Sequence, residues 1–234
     1  MPLRSRAVLL LCALLLSPGP ARANRTGAGG APEGPARVLD VLSQIESSLT
    51  FSRYTPYTRV DAKAGIYEWD CSAMAAWVLR RATPAAWHSV KQRSPTGRIV
   101  ARDFVRQIAS VRVDRPAWAW ERVGRVADMR PGDVVAWLKP SGWVSNVTGH
   151  VGFVMSAPEA SQRVAHGYLI RFADASRYHH QDDTRREEDR DGYGIGTILL
   201  IGHEETGAPV AYGWYGDDSS WIKETQIVIG RPRR

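Results

Sequence analysis

Tyr67-Glu68-Trp69-Asp70-Cys71-Ser72-Ala73-Met74-Ala75-Ala76-Trp77-Val78-Leu79-Arg80-Arg81-Ala82-Thr83-Pro84 decides how this chain folds. Every residue from Ala73 to Leu79 is apolar, and Pro84 stops what precedes it. A helix that is apolar all round belongs in the centre of a domain. Asp70 is a favourable N-cap, because its carboxylate accepts from the exposed amides of the first turn. Cys71 therefore falls in that first turn, beside the positive end of the helix dipole.

Upstream, Val38, Leu39, Val41, Leu42, Ile45 and Leu49 recur at three- and four-residue intervals, which predicts an amphipathic helix beginning near Arg37. Residues 24–36 are Gly, Ala and Pro with little apolar bulk and read as a flexible lead-in. Residues 52–65 carry Pro56 and Gly65 and read as loop. Downstream, a second helix is expected over Ala101 to Ala109, with Phe104, Val105 and Ile108 inward. From Met129 the period changes to that of strands. Arg130-Pro131-Gly132-Asp133 is a turn, and Val134 to Leu138 a buried strand. Residues 150–155 and 167–174 alternate, and Ile195 to Ile201, Ala211 to Tyr215 and Gln226 to Ile229 predict three more strands. Helices first and an antiparallel sheet afterwards make an α+β fold.

Arg4 and Arg6 precede the uncharged run Ala7 to Leu16, and Pro18-Gly19-Pro20 leads to Ala21-Arg22-Ala23. That pattern predicts a signal peptide over residues 1–23, cleaved after Ala23, and hence a secreted or periplasmic protein with no stable membrane anchor. Cleavage removes three basic residues and no acid, taking the formal charge from +7 to +4. No basic helix or aromatic-basic motif points to nucleic acid. With 44% hydrophobic and 24% charged residues, the composition is that of an ordinary globular domain. Of the two cysteines, Cys12 lies in the leader, so Cys71 enters an oxidising compartment alone. An unpaired exported thiol is a candidate nucleophile, though a buried inert cysteine or an intermolecular disulfide has the same signature.

If residues 150–156 and 168–174 form a hairpin with Ser156 opposite Tyr168, then His150 stands opposite Asp174, within hydrogen-bonding reach. A Cys at a helix N-terminus, a His on the facing sheet and a carboxylate behind the His is what thiol acyl transfer requires. A helix start and an imidazolium favour the nucleophilic thiolate. The His protonates the leaving amine, and the Asp fixes its tautomer and orientation.

Three blocks resemble the NlpC-type cysteine peptidases. They are Asp70-Cys71-Ser72 opening a buried helix, Arg130-Pro131-Gly132-Asp133-Val134-Val135 before a strand, and Gly149-His150-Val151-Gly152 opening the next. The resemblance spans about Tyr54 to Ser176. It implies a papain-like fold over residues 37–234, with Cys71 as nucleophile, His150 as base and Asp174 as third member, where the family often has His. It also implies hydrolysis of peptide bonds in bacterial peptidoglycan, without a cofactor. Ala73 replaces the family's Gly after Cys-Ser, and the separation of Cys71 from His150 implies an insertion around residues 84–128.

Tyr57 or Tyr67 could supply a hydroxyl that joins the Cys71 amide in an oxyanion hole, with Ser72 beside the thiol. Trp69 and Trp143 flank the nucleophile and base in sequence and could stack on substrate. His179, His180, Asp182 and Asp183 are metal-ligand types without structural-zinc spacing, so no metal is expected and residues 177–192 read as a solvated polar loop. Asn24-Arg25-Thr26 and Asn146-Val147-Thr148 match the glycosylation acceptor, which matters only in a eukaryotic source. The same triad would also serve an acyltransferase, amidase or esterase on a non-wall substrate, and a silent binding module could keep the fold.

Overall fold

A computed structural model describes residues 33–185 and 191–233. The leader expected over residues 1–23, the start of the lead-in and Arg186 to Arg190 lie outside the described residues. Order begins earlier than the composition suggests. Helix α1 covers Gly34–Ser48, with Pro35 pre-set for the first turn, so residues 34–36 are helical. Gly34 is packed against the backbone of Pro232, where a Cβ would lie 2.0 Å from the carbonyl oxygen. Val38, Leu42 and Ile45 are fully buried.

The stretch read as loop is a small mixed sheet. Strand β1 (Phe51–Tyr54) runs parallel to β3 (Ile66–Trp69), and β2 (Arg59–Asp61) pairs with β3 on its other side, antiparallel. Strands β1 and β2 are short and half-exposed, so no long apolar alternation announced them. Strand β3 runs directly into α2 (Cys71–Ala82), where Met74, Ala75, Val78 and Leu79 are completely buried. Burial of each of the larger three contributes about 1.5–3 kcal/mol. Pro84 does end α2, and it also opens α3 (Pro84–Lys91), which the sequence reading missed. Helix α4 covers Ala101–Ala109 as expected, with Phe104, Val105 and Ile108 inside.

The remaining strands are β4 (Trp120–Val123), β5 (Val134–Leu138), β6 (Gly149–Val154), β7 (Glu159–Ala160), β8 (Gly167–Ser176), β9 (Gly192–Gly202), β10 (Pro209–Gly213), β11 (Lys223–Glu224) and β12 (Ile227–Pro232). They form one large antiparallel sheet in the order β11-β10-β9-β8-β6-β5-β12-β4, with β7 paired to β8. The fold is thus α+β.

Period-two alternation divides the core. Val134, Ala136, Val151, Phe153, Ala173, Ala175 and Val228 join the helices in one apolar cluster. Val135, Trp137, Val154, Ile170, Phe172, Ile198, Leu200 and Ile229 form a second on the other face. The turn before β5 is a structural corner. Asp133, fully buried, accepts from the Arg130 amide and from Arg231 on β12 through Nε (2.9 Å) and Nη2 (2.9 Å). Gly132 holds φ +89° against the backbone of Pro35.

Candidate functional site

Asp70 caps α2 by accepting from Ala73 N at 2.8 Å, and its other oxygen accepts from Arg98 at 2.7 Å. Cys71 is therefore fixed as the first helical residue, 4% exposed, with Ser72 Oγ 3.8 Å from its sulfur. His150 is the second residue of β6. By parity it belongs to the sheet face turned away from α2, where its ring packs on Trp137, Phe172 and Trp214. It nonetheless interacts with Cys71, to which it hydrogen-bonds.

The expected hairpin is offset. Val154 pairs with Phe172 and Phe153 with Ala173, a register displaced by two residues from the assumed one. A shift of two keeps every side chain on its face, whereas a shift of one would have reversed them. Asp174 therefore reaches His150 diagonally, and His150 Nε2 lies 2.6 Å from Asp174 Oδ2. The glycines around His150 serve close packing: a Cβ on Gly149 would lie 1.8 Å from the Trp137 carbonyl oxygen, and one on Gly152 2.5 Å from the Phe172 ring.

With Nε2 on the carboxylate, Nδ1 is the ring nitrogen left for the thiol. Burial opposes charge on His150, but the Cys71 charge, the Asp174 hydrogen bond and the hydrogen bond to Cys71 outweigh it and push the imidazole up to about 10. Burial would also raise Asp174. Instead electrostatic attraction to His180 and Arg185 and the hydrogen bonds with His150 and His180 hold it well below the usual carboxylate range.

The loop after β8 is not solvated where it meets the site. His180 is 1% exposed, and its Nε2 lies 3.0 Å from the same Asp174 Oδ2. The Arg185 side chain is equally buried; it donates to Asp174 Oδ1, to Asp183 Oδ2 (2.6 Å) and to the carbonyls of Asp174 and Gly192. Asp183 in turn accepts from the amides of His180 and Arg185. This loop lies on a track made by Gly194 and Gly196 of β9, where a Cβ would lie 2.6 Å from Arg185 and Asp183, or 2.5 Å from His180. Alternating glycines within a strand mark such close approach and were the available signal. Among the described residues no cluster of His, Cys, Asp and Glu is arranged to hold a metal ion.

The hydroxyl candidates are corrected. Tyr57 is 82% exposed. Tyr67 is buried in the core, its hydroxyl 2.8 Å from Ser48 Oγ. The tyrosine at the thiol is Tyr54, missed because β1 was read as loop. It pairs with Trp69 in register, one residue before the cap of α2. Burial and then the negative charges of Cys71 and Asp70 push its ionisation upward, so it keeps its proton, and the Arg177 guanidinium lies 5.5 Å from its ring. Trp69 is fully buried against Tyr67 and Trp77 and cannot stack on substrate. Trp143 is 42% exposed on the loop before β6, packed on Trp221 rather than on Cys71 or His150.

Chemically, the arrangement offers a thiol, an imidazole with a buried carboxylate behind it, and a neutral phenol beside the thiol. Scans against protein-family models, curated proteins and solved structures returned no match.

Proposed function

We propose that the chain is a cysteine hydrolase of amide bonds, an NlpC-type enzyme on a papain-like fold whose substrate is the stem peptide of peptidoglycan. The convergence of Cys71, His150 and Asp174, from α2, β6 and β8, carries this reading. The peptide substrate, the papain-like assignment and export rest on the three motif blocks and on the leader.

The Cys71 thiolate attacks the scissile carbonyl, forming a C–S bond and an oxyanion that the Cys71 amide and Tyr54 hydroxyl stabilise. His150 donates its Nδ1 proton to the leaving nitrogen as the C–N bond breaks, leaving a thioester. Water adds to the thioester while His150 takes its proton, and the thiolate departs. Asp174 holds the ring through Nε2 in both half-reactions.

Purified protein incubated with peptidoglycan sacculi should release fragments bearing new amino termini, and Cys71→Ala should release none. Sacculi left intact by a folded, alkylatable protein would overturn the wall substrate; release by Cys71→Ala would overturn the nucleophile.

A further inference from the structure

We propose that His180 is a cationic positioning residue, protonated on both ring nitrogens, which neutralises Asp174 and so leaves the His150 imidazolium to the Cys71 thiolate. The reading of Cys71 as a nucleophile is presupposed only for the second half of that statement.

The hydrogen bonds fix the protons. His180 Nδ1 lies 3.0 Å from the Trp214 carbonyl oxygen, which only accepts. His180 Nε2 lies 3.0 Å from Asp174 Oδ2, which also only accepts while the carboxylate is ionised. Arg185 on Oδ1 and His150 on Oδ2 keep it ionised. A neutral imidazole has one N–H, so one of these two buried contacts would set a bare nitrogen against an acceptor.

The charges lead to the same assignment. The groups facing His180 and Asp174 are His150 from β6, Asp183 and Arg185 from the loop, Tyr54 from β1 and Tyr193 from β9, with Cys71 of α2 beyond His150. Arg185 neutralises one of the two buried carboxylates, Asp174 and Asp183. The other needs a cation, because an unpaired buried charge is costly. If His180 were neutral, that cation would have to be His150, and the thiolate would lose its partner. With His180 charged, Asp174, Asp183, Arg185 and His180 balance, and Cys71 with His150 forms a separate neutral pair.

Nitrogen-15 NMR of the histidine rings in the native protein is the direct test. His180 should show two protonated nitrogens at pH 7.5; a bare ring nitrogen there overturns the proposal. The second measurement is the pH profile of Cys71 alkylation by iodoacetamide. His180→Gln retains an N–H donor but loses the charge, so the profile should move up by about one pH unit, with the rate at pH 6 about tenfold lower. A lower rate without displacement of the profile would mean a merely structural role and refute positioning. If His180→Gln does not fold, the native spectrum decides. Neither readout involves hydrolysis, so inactivity on sacculi sinks the hydrolase reading alone, and a neutral His180 sinks this inference alone.

Discussion

Asp174→Asn keeps the size of the side chain and deletes the charge on which three cationic groups converge. The carboxylate is completely buried and takes hydrogen bonds from His150 (2.6 Å), His180 (3.0 Å) and Arg185. An amide cannot accept on both atoms, so one N–H of this set will face another N–H. Removing one member of a buried ion pair costs about 3–5 kcal/mol. In a chain of this length each kcal/mol moves the melting midpoint by about 2–4 °C, so melting should fall by about 6–20 °C. His150 should also lose its proton earlier. A hydrogen-bonded charge partner moves a pKa by about 1–3 units, so the imidazole should titrate about 1–3 units below its native position near 10. The imidazolium that faces the thiolate is then lost on the way to mildly alkaline pH, and turnover should drop by about 10⁴-fold, the order expected when a triad carboxylate is made neutral. Calorimetry, histidine NMR titration and turnover on sacculi measure the three quantities. A variant that melts with the native protein and retains His150 titration near pH 10 would refute the assigned role of Asp174.

Tyr54→Phe should lower turnover by about 10²-fold through loss of one oxyanion donor, while Tyr57→Phe should leave it unchanged; equal effects would remove Tyr54 from the site. Gly194→Ala places a Cβ about 2.6 Å from Arg185 and Asp183 and should destabilise the protein by about 1–3 kcal/mol in urea titrations, and an unchanged midpoint would refute the close seat of the loop on this strand. Because the folded pKa of His150 is raised, its contribution to stability is complete below its unfolded value of ~6.5 and lost as pH rises through about 10. The melting midpoint should therefore decline between neutral pH and pH 10, and His150→Ala should flatten that decline.

The parts of the site that were legible in the sequence are those that regular elements fix. An all-apolar helix with an Asp cap placed Cys71 correctly, and period-two alternation placed His150 and Asp174 on one face even though the register was displaced by two. Parity survives such a shift; identity of the opposite residue does not. What was illegible came from irregular chain. His180 and Arg185 lie in a segment whose composition is that of a solvated loop, and only the Gly194 and Gly196 track on a distant strand gives them a buried seat. Tyr54 was missed for a different reason, since a four-residue strand of alternating exposure carries too little apolar signal to separate it from loop. Trp69 illustrates the opposite error, in which proximity in sequence to a nucleophile was taken for proximity to substrate.

The place of β12 between β4 and β5 constrains the order in which the domain can assemble. Strands β4 and β5 are sequence neighbours, and simple hairpin formation would pair them with each other. In the finished sheet they are held apart by residues 227–232, which are synthesised long after both. Until that strand arrives, Val134 to Leu138 expose an open hydrogen-bonding edge, and Asp133 lacks the arginine that neutralises it. The nascent domain thus passes through a stage with an unfilled slot one strand in from the β4 edge of its largest sheet. Such long-range pairing slows folding and leaves edges that invite wrong partners, so a chain cut before residue 227 is exposed to aggregation rather than merely shortened.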